Sequence, residues 1–202
     1  RDSPHFYGGG MFRHPLWGAY YLAPPHFYAP RYVSRRRMTE LAAKASGRSP
    51  SPTFKAVGAD NVSTGSMSGM RCIHYLRRKL GTQIAVWPFD DLRQCWSDVR
   101  LVLVEIFPSY YFYRAGMVPA KKAASQAGFL NAALRFYNSA GVSPQFTAKG
   151  SDADEADAII AAAALRHFAL QTTGAIFDLP DSIRVTARQE GWIFGVDPIH
   201  AL

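Results

Sequence analysis

The sequence predicts a single α/β domain, and three observations predict it. Two apolar runs, residues 83–88 and 100–107, each end at a proline and read as strands. Three longer segments, residues 66–80, 119–139 and 151–170, read as helices. Their order is helix, strand, strand, helix, helix without an internal repeat, the arrangement of a sheet covered by helices.

Taken in chain order, residues 1–34 are rich in Pro, Gly, Tyr, Phe and His. They predict irregular loop and short turns held to a core by their aromatics, because free disordered tails are poor in aromatic residues. Arg35-Arg36-Arg37-Met38-Thr39-Glu40-Leu41 predicts the start of a short helix, and the breaker-rich residues 46–53 a loop. Met67, Met70, Ile73, Leu76 and Leu80 recur at helical spacing, and Gly81 is placed to end that helix. Gln83 to Trp87 reads as a strand stopped by Pro88, and residues 91–98 as a polar connection with a helical turn. Leu101 to Phe107 is apolar on both faces apart from Glu105, which predicts a central strand covered from two sides. Ala123, Ala127, Leu130, Leu134 and Tyr137 form one stripe of the next helix, and Ser151 opens the last long one. Two strands are too few for a sheet with helices on both faces. The expectation is therefore that the first strands of the sheet precede Arg1.

The chain has 202 residues, enough for a substantial core, and its 48% hydrophobic and 19% charged content is that of a folded protein. No run approaches the ~20 apolar residues of a membrane-spanning helix, and residues 1–34 do not read as a basic-then-apolar leader. Cys72 and Cys95 lack CxxC spacing, which excludes a zinc knuckle or disulfide framework and suits two reduced thiols of a cytoplasmic protein. Charge is unevenly spread. Residues 1–150 hold 20 Lys/Arg against 7 Asp/Glu, a net +13, while residues 151–202 hold 3 against 8, a net −5. A basic body attracts polyanions, nucleic acid being the commonest.

Several segments resemble, in order, a known family. They are the Arg36-Arg37-Met38-Thr39-Glu40 element, the Gly-rich stretch from Val57 to Met70, Trp87-Pro88-Phe89, Val104-Glu105-Ile106-Phe107-Pro108, Asp154 to Leu165, and Glu190-Gly191-Trp192-Ile193. Together they span residues 35–196 of the single domain 1–202. The family is a bacterial domain of unknown function predicted to be an RNase H-like nuclease. The resemblance implies an RNase H-like mixed sheet flanked by helices, here lacking its first strands and an early aspartate. It also implies phosphodiester hydrolysis of nucleic acid with Mg²⁺ or Mn²⁺.

That chemistry uses carboxylates from separate elements to hold two divalent ions about 4 Å apart. Glu105, Asp154 and Asp157 are the candidate catalytic residues and metal ligands. Glu105 lies near the end of a strand, where ligand sites of open sheets gather, and a charge in a buried strand is costly unless paired or liganded. The competing expectation is that Glu105 pairs with an arginine or caps a helix. Asp157 has Ile160, Ala161 and Ala164 at helical spacing. Asp154 also suits a capping box from Ser151 and the helix dipole. Thr64, Gly65 and Ser66 open a helix whose N–H groups suit a phosphate, or they form a plain turn and cap. Arg36, Arg37, Arg77 and Arg78 are candidate nucleic-acid contacts, or solvated cations. Tyr110 to Tyr113 beside Arg114 suit single-strand stacking, or core packing after the strand. A non-catalytic nucleic-acid-binding or scaffold protein of the same fold is the alternative function.

Overall fold

A computed structural model describes residues 9–22, 29–57, 63–118, 126–148, 154–171 and 177–201 of the chain. It is mixed α/β in kind. In chain order the elements are α1 (Gly9–Phe12), α2 (Met38–Ala45), α3 (Ser63–Leu80), β1 (Ile84–Val86), α4 (Leu92–Cys95), β2 (Leu101–Leu103), α5 (Pro108–Arg114), α6 (Ala127–Phe136), α7 (Asp154–Gln171) and α8 (Asp181–Glu190), with short 3-10 turns between some of them.

β1 and β2 pair in parallel, Ile84 opposite Leu101 and Val86 opposite Leu103. The ladder continues past both strands. Trp87 N–H donates to the Leu103 carbonyl at 2.9 Å, and Phe194 N–H donates to the Glu105 carbonyl at 2.9 Å. Glu105 thus bridges Ile193 in parallel. The strands are shorter than expected: β1 ends at Val86, the residue before Trp87-Pro88, and β2 ends at Leu103, with Pro108 opening α5 at a position where its missing N–H costs nothing. β2 is not covered on both faces, since Leu101 is 39% exposed.

The core lies between α5, α6, α7 and the 192–196 segment. Tyr110, Tyr111 and Phe112 are buried in it, so for these three the structure has packing, while Tyr113 is 37% exposed. Two phenols stitch the layers. Tyr111 donates to the Phe194 carbonyl at 2.8 Å, and Tyr137 donates to the Tyr111 carbonyl at 2.7 Å. Burial raises both phenol pKa values above the ordinary one. The Phe194 ring meets Trp87, Phe168 and Phe177 at centroid distances of 5.6, 6.0 and 5.5 Å. On α7, Ala156, Ile160 and Ala164 are fully buried; small residues there let α7 approach α5, where sequence alone had suggested a sheet.

Two regions stand apart. Phe12, Tyr21 and Phe54 form a satellite aromatic cluster, with centroids 5.4 and 5.1 Å apart, so the early aromatics described pack together and with Phe54. α3 ends at Leu80, before Gly81 with φ +56°, but no side chain described on it is buried, and Met70 of the predicted stripe is 55% exposed.

Candidate nucleic-acid interface

Arg37 organises the end of β2. The residue precedes α2, and its backbone N–H is capped by the Glu40 carboxylate at 3.0 Å. Its guanidinium then reaches three ways. Nε donates to Glu40 Oε1 at 2.9 Å, both terminal nitrogens grip the Glu105 carboxylate at 2.7 and 2.5 Å, and one of them also donates to the Glu190 carbonyl at 3.1 Å. The Glu190 carboxylate accepts the Met38 N–H at 2.9 Å, and Thr39 Oγ1 accepts the Ile193 N–H at 2.9 Å. Gly191 makes the approach possible: its φ is +84°, and a Cβ there would stand 3.1 Å from the Arg37 guanidinium. Residues 36–40, 104–108 and 190–193, far apart in the chain, therefore converge on one cluster.

Electrostatics hold this cluster closed. Burial opposes the Arg37 charge, but the bonds and charge of Glu105, then of Glu40, outweigh it and raise the guanidinium pKa. Glu40 is 4% exposed. Burial pushes its carboxyl pKa up, against the pull of Arg37.

The cluster forms one end of a cavity of about 810 Å³. Its other walls carry Arg35, Arg36, Lys55, Tyr21, Phe54, Ser63, Ser66 and Met67. Arg36 is the unusual member. One terminal nitrogen lies 3.5 Å from the Pro50 carbonyl, while Nε is buried and has no acceptor among the described residues. Buried guanidinium donors are ordinarily satisfied, and this one is an exception. Phe54 adopts a left-handed φ of 62°, rare for a residue with a side chain, and its ring stays 42% exposed beside Tyr21.

The structure brings some of the predicted residues together and separates the rest. Arg36, Arg37, Glu105 and Ser66 share the cavity. Gly65 is exposed in the first turn of α3; Thr64 lies beside it, and its side chain, like residues 58–62, is outside the described set. Arg77 is ion-paired with Asp90, which also accepts the Val86 N–H at 2.7 Å, so it pins the turn after β1. Arg78 is an exposed cation of α3. Asp154 and Asp157 open α7, the first exposed and the second half-buried, while Ser151 is outside the described residues. Glu105, Asp154 and Asp157 do not form a group able to hold a metal ion among the described residues, and both Glu105 oxygens are engaged by Arg37. Sequence reasoning missed Glu40, Glu190, Lys55, Tyr21 and Phe54; only the Glu40 and Glu190 positions carried a signal, through the family-like segments.

No helix among the described residues is long and apolar enough to cross a membrane. The chain matches no family model, no curated protein and no solved structure.

Proposed function

We propose that the chain is a non-catalytic nucleic-acid-binding protein that takes single-stranded RNA or DNA through the cavity at the end of β2. The observation that carries this is the Arg36 guanidinium, which lines the cavity with a buried Nε that has no acceptor among the described residues. Arg35 and Lys55 add charge, and the Tyr21 and Phe54 rings add faces for bases. Cations beside exposed aromatics are what sequence-tolerant single-strand binding needs. The Glu40, Glu105 and Glu190 carboxylates lie in the same cavity, where Arg37 and the Met38 N–H engage them; with Arg35, Arg36, Arg37 and Lys55 against these three acids, the lining carries a net +1. The net charge of +8 supplies long-range attraction. The free thiols Cys72 and Cys95 suit a cytoplasmic setting.

A second reading, RNase H-like hydrolysis with Mg²⁺ or Mn²⁺, is favoured by one observation: Glu105 lines the cavity that holds the cations. It requires a different set of ligands from those assembled here.

The test is fluorescence anisotropy with a labelled strand of about 20 nucleotides, long enough to span a groove of this kind. Arg36→Ala with Lys55→Ala should weaken binding by roughly tenfold or more at moderate salt, while Asp154→Asn with Asp157→Asn leaves it unchanged. Equal affinity in the wild type and the Arg36/Lys55 variant rejects the proposal. Strand cleavage on adding Mn²⁺ that is lost in the aspartate variant favours the second reading.

A further inference from the structure

A second cavity, of about 540 Å³, is walled by Trp87, Trp96 and Phe177. Its size is that of small-molecule sites. Trp96 is 54% exposed and its ring lies 5.7 Å from that of Phe177, which in turn meets Trp87 at 6.2 Å. Such walls suit a flat ring. Three arginines and three aspartates also line the cavity. Their charges cancel, so the site suits a neutral polar ligand over a free anion or cation.

The polar rim is specific in its donors. Asp91 accepts from Arg188 at 2.7 Å and from Arg93 Nε at 3.4 Å. Each guanidinium has five N–H donors, and these contacts use one apiece. Arg93 also stands 3.8 Å from Asp178. Both arginines are more than a third exposed, so they present unspent donors to an acceptor edge. Among planar neutral rings, guanine offers two adjacent acceptors, O6 and N7, that match a guanidinium fork.

The turn after β1 lines this cavity through Trp87, Pro88 and Asp90 and reaches the Arg37 cluster through Phe89. The Phe89 ring, 49% exposed, shares with Arg37 and Glu105 the space around Gly191 that a Cβ would fill. A strand whose phosphates lie against Arg35, Arg36 and Lys55 would thus pass Phe89 and deliver a base here.

We infer that the cavity between Trp87, Trp96 and Phe177 takes a nucleobase, guanine by preference, unstacked from a strand bound at the basic cavity. The inference rests on the proposed function and adds to it a base-reading site.

The experiment uses the full chain and guanosine, a neutral probe, followed by tryptophan fluorescence, with adenosine and ribose as controls. Saturable quenching by guanosine is expected, weaker for adenosine and absent for ribose. Trp96→Ala should weaken guanosine binding by roughly tenfold through lost stacking, and Arg93→Ala by roughly tenfold through lost donors; a thermal melt of each variant checks folding. Labelled-strand anisotropy is run in parallel. Strand binding without saturable guanosine quenching overturns the base site and leaves the proposed function standing. Guanosine binding that neither variant weakens overturns the assignment of the cavity. Guanosine binding without strand binding overturns both the strand-borne base and the proposed function.

Discussion

Removing the Arg37 guanidinium isolates the value of the cluster that closes one end of the basic cavity. Arg37→Ala leaves the backbone cap of Glu40 intact but deletes the 2.9 Å bond to its carboxylate and both bonds to Glu105. The two losses differ in weight. Glu40 has a side chain only 5% exposed, and a buried carboxylate stripped of its charged partner costs about 2–3 kcal/mol. Glu105 has a side chain 40% exposed, so water recovers most of that pair and about 0.5–1 kcal/mol remains. The sum is about 3 kcal/mol, which with a urea slope of roughly 2–3 kcal/mol/M lowers the unfolding midpoint by about 1–1.5 M.

Acid should shrink this penalty. Burial raises the folded-state pKa of Glu40, so the folded state binds that proton more readily than the unfolded chain. The corresponding stability is fully present below the ordinary carboxylate range and is lost as pH rises through the raised value. Without Arg37, which pulls that value down, it climbs further and more stability is lost at neutral pH. Wild type and variant should therefore converge on acidification, and Arg37→Ala with Glu40→Gln should recover part of the loss at pH 7. A midpoint within about 0.3 M of wild type at pH 7, or a difference that does not change with pH, refutes this reasoning.

Three further outcomes follow from the packing. Tyr111→Phe leaves the Phe194 carbonyl without its side-chain donor and should cost about 1–2 kcal/mol in urea titration; Tyr137→Phe should cost less, because the Tyr111 carbonyl keeps the Ala115 N–H. Because both phenols are raised in the fold, their contribution is present below the ordinary phenol value and is lost as pH rises above it; the double variant should show a shallower alkaline decline than wild type. Asp91 is held low, first by the hydrogen bond from Arg188, so its stabilisation is present above the ordinary carboxylate value and is lost as pH falls through the depressed one; Asp91→Asn should flatten the acid limb of a stability profile. Gly191→Ala places a Cβ 3.1 Å from the Arg37 guanidinium at φ +84° and should destabilise by about 1–3 kcal/mol, read as a lowered melting temperature.

Much of the frame was legible because it obeys local rules. The α3 helix, the stop at Gly81 and both strand positions follow from periodicity and punctuation. α5 escaped because Ser109-Tyr110-Tyr111-Phe112-Tyr113 has no period, although Pro108 marks its start. α8 escaped because Ile183 and Ala187 are its only buried residues described, too sparse a stripe, even with Pro180 before it and Gly191 after it. The length of the strands was misjudged because apolar character records burial without recording where pairing ends.

The site was less legible than the fold. Glu105 stood out as a charge in an apolar run, and the sequence left open whether an ion pair or a metal held it. Its partner Arg37 lies 68 positions away, a separation that no periodicity reports. Lys55, Tyr21 and Phe54 reach the cavity through a backbone bridge between Leu22 and Lys55, which composition cannot foretell.

The central claim is that phosphates of a strand are neutralised by Arg35, Arg36 and Lys55. The most direct measurement is the slope of log affinity against log salt for a labelled strand, in wild type and in Arg35→Ala/Arg36→Ala/Lys55→Ala. Each lost contact to a single strand removes about 0.7 from the slope, so the variant should be shallower by roughly 2. Parallel lines with unchanged affinity would contradict the account, and would move any binding to another face of the molecule.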